Sequence, residues 1–89
     1  SMEENDGREV AGYLPELDFQ GFTDPVVQVV RERDGEILYT LRIRGQRFKP
    51  YVFEEGTYTV KAGPDRPDSW TGEGLQAARQ SEGVLQVSF

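Results

Sequence analysis

Short runs of alternating apolar and polar residues, separated by Gly, Pro and Asp, extend over most of this chain from Pro25 onward. Alternation with a period of two is typical of β-strands with one buried face, whereas an amphipathic helix requires a period near 3.6. No long helical segment is available to connect parallel strands. We therefore predict an all-β fold, a small antiparallel Greek-key β-sandwich of six to seven strands.

The clearest local prediction is a β-hairpin centred on Asp34-Gly35, with strands at residues 26–33 and 36–44. An Asp-Gly pair readily supplies the two positive φ angles that a type I′ turn requires. Because side chains alternate along a strand, one face of the second strand is predicted to meet the core. The residues predicted on one face are Ile37, Tyr39, Leu41 and Ile43, and those on the other are Leu38, Thr40, Arg42 and Arg44.

Further strands are predicted at residues 47–53, 57–62 and 84–89, with a loop at 63–68. Pro50 cannot donate a backbone hydrogen bond, which predicts an edge position or a bulge in the first of these strands. The last strand is expected to turn Leu85, Val87 and Phe89 toward the core. Residues 75–80 fit either a short helix or a strand.

The length of 89 residues predicts a single domain. Ser1-Met2 is interpreted as the scar of a cleaved tag, and residues 1–8 are polar and unpatterned, so the β-sandwich domain is assigned to residues 9–89. An apolar, strand-like segment at 84–89 is more typical of a domain excised from a longer protein than of a whole protein.

The sequence contains neither cysteine nor histidine, and its formal net charge is -6. Without these two residue types there are no thiolate or imidazole metal ligands and no Ser-His or Cys-His nucleophilic pair. An acidic chain is poorly suited to bind nucleic acid or an anionic membrane surface, and no apolar run reaches the length of a membrane span. We therefore expect a non-catalytic domain without cofactor, metal, nucleic-acid partner or membrane span.

The segment Glu55-Gly56-Thr57-Tyr58-Thr59-Val60 resembles the Gly-x-Tyr-x-apolar segment that enters the sixth strand of immunoglobulin-like and fibronectin-III-like domains. The resemblance implies that Tyr58 forms a tyrosine corner, in which its hydroxyl bonds a backbone group a few residues upstream. Val60 then takes the place of a cysteine in antibody domains. Gly35 and Gly56 are interpreted as turn residues.

A second resemblance covers about half of the chain, from Val26 to Gly63, and includes Gly45, Phe48 and Pro50 as Gly-x-x-Phe-x-Pro. This pattern is similar to domains that trail secreted bacterial phosphatases of the alkaline phosphatase D or metallophosphoesterase kind. The resemblance implies an accessory domain beside a catalytic one, in a secreted or extracytoplasmic protein. It includes no catalytic motif.

Two groups of residues suggest binding surfaces. Six of the ten basic residues fall within positions 31–49, and Arg33, Arg42 and Arg44 among them suit an acidic or sulfated partner. A solvated face balanced by neighbouring carboxylates explains the same pattern. Trp70 and Tyr51, with Tyr13 nearby, would form a platform for a sugar ring, although a core position is the more usual place for a single Trp.

Asp65, Asp68 and Glu73 offer oxygen ligands near the Pro-rich loop, but their spacing lacks the pattern of a calcium-binding loop. The sequence thus favours an accessory module that docks on a neighbouring domain of its parent chain. The alternative is a carbohydrate- or protein-binding module that uses Trp70 and the Arg-rich strands. A docking module is expected to expose an apolar patch or an unpaired sheet edge.

Overall fold

The computed structural model describes residues 9–89, which form nine β-strands in three sheets. The strands are β1 Gly12–Tyr13, β2 Glu16–Phe19, β3 Val26–Arg31, β4 Ile37–Arg42, β5 Arg47–Phe48, β6 Tyr51–Val52, β7 Thr57–Gly63, β8 Trp70–Gln76 and β9 Val84–Val87. Their orders are β1-β6, β5-β2-β9 and β4-β3-β7-β8. No helix among these residues has the length and hydropathy needed to cross a membrane.

The all-β class is confirmed, but the strands are divided among three sheets instead of the two predicted, and one pairing is parallel. β2 pairs with β9 in parallel, with Glu16 opposite Val84 and Phe19 opposite Val87. A parallel pair needs a long connection, and here most of the chain lies between the two strands. Of residues 75–80, for which either a short helix or a strand was expected, only Leu75 and Gln76 are in a strand, at the end of β8.

Two prolines separate pairs of short strands. Pro15 lies between β1 and β2, and Pro50 lies between β5 and β6, so the predicted irregularity at Pro50 is confirmed. The backbone bonds nevertheless continue past both breaks, because the Leu14 amide donates to the Pro50 carbonyl over 2.9 Å. A proline lacks only the donor and keeps its acceptor.

The four-stranded sheet has one apolar and one polar face, because directly opposite residues of neighbouring strands share a face. One row across the apolar face is Leu41, Val27, Ala62 and Trp70. One row across the polar face is Thr40, Gln28, Lys61 and Thr71. The apolar face lies against the inward residues of the other sheets, and Leu17, Val52, Tyr58 and Val60 have no exposed surface.

A bulge in β4 changes the predicted faces of two residues. Tyr39 opposes Val29, but Ile37 opposes Val30, so Leu38 is the extra residue. An extra residue shifts the alternation by one position, which places Ile37 on the polar face with 54% of its surface exposed. Leu38 instead packs against the core. The predicted grouping on one face is therefore correct for Tyr39, Leu41 and Ile43, which lie on the core side, and wrong for Ile37.

The hairpin lies where the Asp34-Gly35 pair predicts, but the predicted turn type is wrong. Only Gly35 has a positive φ, of 74°. The loop spans four residues, 32–35, and is closed by the Arg31 amide donating to the Glu36 carbonyl over 2.8 Å. The Asp34 carboxylate accepts the Glu36 amide at 3.1 Å, the bond to the backbone two residues on that Asp side chains favour in turns.

The strand at the end of the chain has the predicted alternation over most of its length. Val87 is 1% exposed, and Leu85 packs against the core. Phe89 lies beyond the end of β9 and is 45% exposed, so its predicted core position is wrong. Its ring covers Phe22 and Phe19 at centroid distances of 5.5 and 5.8 Å.

Substitution of Gly72 by Ala is expected to displace Trp70. A Cβ at position 72 would lie 2.6 Å from Cη2 of the indole, which packs over this glycine on the core face. We expect a loss of about 1–3 kcal/mol in the free energy of unfolding, the usual cost of overpacking. Trp70 is the only tryptophan, so its fluorescence emission should shift to the red. Thr71→Ala, on the polar face, is the control, and an unshifted spectrum in Gly72→Ala would contradict this packing.

Candidate functional site

The structure does not bring Trp70 and Tyr51 together. Trp70 is half-buried on the core face of β8, and none of the ring pairs among residues 9–89 joins it to Tyr51 or Tyr13. Tyr51 stacks on Tyr39 with 4.9 Å between centroids. Trp70 and Tyr51 thus take part in separate packing contacts among the described residues.

Tyr39 connects two sheets through its hydroxyl group. The hydroxyl donates to the Tyr51 carbonyl over 2.7 Å and accepts the Tyr51 amide at 3.1 Å. Burial raises the pKa of Tyr39 well above its usual value. The neutral hydroxyl is thus held where it can act as donor and acceptor at once.

The predicted arginines do not form one surface. Arg33 lies in the hairpin loop and pairs with Glu54 at 2.9 Å. Arg42 lies at the other end of β4, about 20 Å away at the usual rise per strand residue, and donates to the carbonyls of Asp24 and Pro64 over 2.7 and 3.0 Å. Arg44 follows β4 and is exposed. Only Arg42 and Arg44 are close neighbours.

Tyr58 has the hydrogen bond that the tyrosine-corner resemblance implies. Its hydroxyl donates to the Glu54 carbonyl over 2.8 Å, and the side chain has no exposed surface. Burial, the largest effect, raises its pKa. Gly56 lies between these residues with a φ of 151°, and Val60 is fully buried two residues later. The connection from β6 to β7 is thereby fixed at the end of the four-stranded sheet.

Arg31 lies beside this corner and pairs with three carboxylates. It binds Asp34 in a bidentate manner at 3.1 and 2.9 Å, and it also pairs with Glu36 at 2.5 Å and Glu54 at 3.4 Å. The hydrogen bond from Arg31, the largest effect, lowers the pKa of Asp34 to about 2. With 17% of its side chain exposed, Arg31 connects the hairpin to the tyrosine corner through these ion pairs.

Glu32 ties the hairpin loop to β7 and β8. Its Oε2 accepts the Gly74 amide and the Thr59 hydroxyl, each at 2.7 Å. The bond from Gly74, followed by that from Thr59, lowers the pKa of Glu32. The carboxylates of Glu32, Asp34, Glu36 and Glu54 are therefore engaged in holding loops together.

The acidic residues suggested as calcium ligands are separated. Asp65 and Asp68 lie in the loop between β7 and β8, whereas Glu73 lies within β8. Among residues 9–89, no group of three or more acidic residues is placed to hold a metal ion.

The feature with binding potential is the open edge of β4. The Ile43 amide bonds the Pro25 carbonyl, so the odd-numbered residues of β4 after the bulge direct their backbone groups to β3. The amide and carbonyl of Thr40 point the opposite way, where no described strand lies. This edge is six residues long and contains no proline. Alternation in the sequence does not indicate that β4 lies at an edge of its sheet.

Comparison with protein-family models, curated proteins and solved structures finds no match for this chain.

Replacing Tyr58 by Phe should destabilise the fold by about 1–2 kcal/mol, because the Glu54 carbonyl loses its partner while the ring stays in place. Urea denaturation monitored by Trp70 fluorescence measures this loss. Tyr13→Phe is the matched control, since the ring there lies under Lys49. Equal stability of Tyr58→Phe and Tyr13→Phe would show that the corner bond does not stabilise the domain.

Protonation of Asp34 should weaken the hairpin. Its pKa is lowered in the folded state, so the stabilisation is complete above its usual value of 3.8 and is lost as the pH falls toward about 2. Asp34→Asn should be less stable than the unmodified chain at neutral pH, and the difference should shrink between about pH 4 and 2. Urea denaturation across this range provides the measurement. Asp65→Asn, at a carboxylate 91% exposed, should follow the unmodified chain, and a pH-independent deficit in Asp34→Asn would contradict the assignment.

Proposed function

We propose that this chain is a non-catalytic docking module, which adds an extended segment of a neighbouring domain of its parent protein to the open edge of β4. The observation that carries the proposal is the direction of the Thr40 backbone groups. Unpaired strand edges bind extended segments through main-chain hydrogen bonds, with side chains supplying specificity. Such an edge is usually protected by proline, a bulge, charge or a short strand, and in β4 the one bulge lies at its start, before Tyr39.

The opposite edge of the same sheet is less suitable. β8 contains Gly72 and Gly74, and its register with β7 shifts between Tyr58 and Val60. Both edge strands have a register shift, so glycine content distinguishes them: glycine weakens strand pairing, and β4 contains none. β4 carries the sequence Ile-Leu-Tyr-Thr-Leu-Arg, rich in residues that favour strands.

The side chains along β4 indicate what the segment should contain. Ile37 is exposed at one end of the edge and offers an apolar contact. Arg44 follows the other end, is exposed and has no ion pair among residues 9–89. A complementary segment therefore has an apolar residue beside Ile37 and a carboxylate beside Arg44.

A second copy of this chain is a less suitable occupant than a neighbouring domain. The formal net charge of -6 means that two copies repel each other as they approach. A tethered neighbour has no such disadvantage when its own charge is neutral or positive, and the tether raises its effective concentration.

We further propose that the domain is an immunoglobulin-like or fibronectin-III-like sandwich, supported by the Tyr58 to Glu54 bond. The resemblance to domains trailing bacterial phosphatases supports a secreted hydrolase as the parent. No observation favours the alternative sugar platform at Trp70 and Tyr51.

A peptide with the sequence of residues 36–44 provides a probe of the edge. Paired antiparallel about Thr40, its Glu36 lies opposite Arg44 of the chain. Titration of the labelled chain, followed by amide chemical shifts, should perturb Thr40 and Arg42 most. Thr40→Pro should weaken this binding by about tenfold or more, because it removes the outward donor.

Thr40→Val is the matched control. Both substitutions remove the hydroxyl that accepts a hydrogen bond from Gln28 at 2.9 Å, but Val keeps the backbone amide. Equal binding by both variants would refute docking at this edge. Dimerisation of the unmodified chain through β4 in sedimentation would make a second copy the occupant and contradict the neighbouring-domain proposal.

A further inference from the structure

A cleft of about 540 Å³ lies away from the β4 edge, beside the link between β5 and β6. Its lining comes from three separate parts of the chain: the segment from Tyr13 to Glu16, Lys49 in the β5–β6 link, and the loop at residues 79–83 with Val84 after it. These parts are far apart in the sequence.

Hydrogen bonds fix two walls of this cleft to each other. Tyr13 and Ala78 exchange backbone bonds of 2.7 and 3.0 Å where the loop begins. In the middle of the loop the Ser81 hydroxyl donates to the Leu14 carbonyl over 2.8 Å, and at its end the Glu16 amide donates to the Gly83 carbonyl over 3.2 Å. The shape is therefore preformed, which lowers the entropic cost of binding.

The cleft is cationic although the chain is acidic. Lys49 Nζ lies 5.0 Å from the centroid of the Tyr13 ring, and neither Lys49 nor Arg79 forms an ion pair with any of residues 9–89. Glu16 is the one acidic residue in the described lining, and exposed Glu82 lies between the lining residues Ser81 and Gly83. Arg47 neutralises Glu16 with two bonds of 3.1 and 3.2 Å, so Lys49 and Arg79 are the lining charges without an ion pair among residues 9–89.

The other lining groups suit hydroxyl-rich ligands. Tyr13, Gln80 and Ser81 bring a phenol, an amide and a hydroxyl to the walls, and Val84 is the large aliphatic residue there. Neutral donors and acceptors beside an aromatic ring match the mixed polar and apolar surface of a sugar. An apolar peptide side chain would find little complementary surface.

We propose that this cleft binds an acidic oligosaccharide, with a carboxylate or sulfate group of the sugar paired to Lys49 and Arg79 and its hydroxyls bonded by Gln80 and Tyr13. Arg presents a planar fork to an oxyanion and Lys a compact charge, so the two together hold one anionic group from different directions. This site is independent of docking at β4 and uses none of its residues.

A heparin-derived tetrasaccharide tests the proposal by calorimetric titration at about 150 mM salt, where long-range attraction is largely screened. The double variant Lys49→Ala with Arg79→Ala should weaken binding by about tenfold or more. Lys61→Ala with Arg66→Ala is the control of equal charge change, in β7 and the β7–β8 loop, and should change binding by less than about twofold.

Two ligands complete the experiment. A neutral dextran tetrasaccharide should bind at least about tenfold more weakly, because it lacks the anionic group, and hexaglutamate should do the same, because it lacks sugar hydroxyls. Amide shifts caused by the heparin fragment should centre on Tyr13, Gln80 and Ser81. Equal weakening by the two double variants, or equal binding of hexaglutamate, would overturn the proposal in favour of charge attraction alone.

Discussion

The strand β3 has two neighbours, and its backbone bonds alternate between them. The Glu32 amide, just after β3, bonds the Thr57 carbonyl on the β7 side, whereas the Pro25 carbonyl accepts from Ile43 on the β4 side. Even-numbered residues thus bond β7 and odd-numbered residues bond β4. The same alternation directs Val27 and Val29 into the core and Gln28 to solvent. The buried face, the open edge of β4 and the closure of the hairpin all depend on this register.

The parts of the fold that sequence predicts depend on local spacing. The bond from Tyr58 to Glu54 joins residues four positions apart, and a motif of that length can be recognised without knowledge of the rest of the chain. The hairpin at Asp34-Gly35 was located in the same way. Its turn type was wrong because Asp34 bonds Arg31 and the Glu36 amide, which favours a four-residue loop over a two-residue turn.

Other features depend on contacts between distant segments. The sequence alternates only from Tyr39 to Ile43, and Ile37, Leu38 and Tyr39 are consecutive apolar or aromatic residues. Alternation therefore does not decide whether Ile37 or Leu38 meets the core, and the pairing with β3 decides it. The parallel pairing of β2 with β9 likewise has no local signal in the sequence. The cleft escaped sequence reasoning because Tyr13, Lys49 and Arg79 are each about 30 or more positions apart and are united only by the fold.

Charge distribution separates structural residues from residues available for binding. Arg31, Arg33 and Arg47 are occupied by carboxylates of this chain. Arg44, Lys49 and Arg79 have no such partners among the described residues. The cluster of arginines in the sequence therefore combines two roles, and the acidic overall charge conceals small cationic surfaces that suit an acidic partner.

The register of β4 is tested most directly by amide hydrogen exchange of neighbouring residues in the unmodified chain. The Leu41 amide points toward Val27 in β3, whereas the Thr40 amide points to the open edge. Exchange at Leu41 should be slower than at Thr40 by on the order of a hundredfold or more after correction for intrinsic rates. Equal protection of the two amides, or stronger protection at Thr40, would contradict both the register and the free edge.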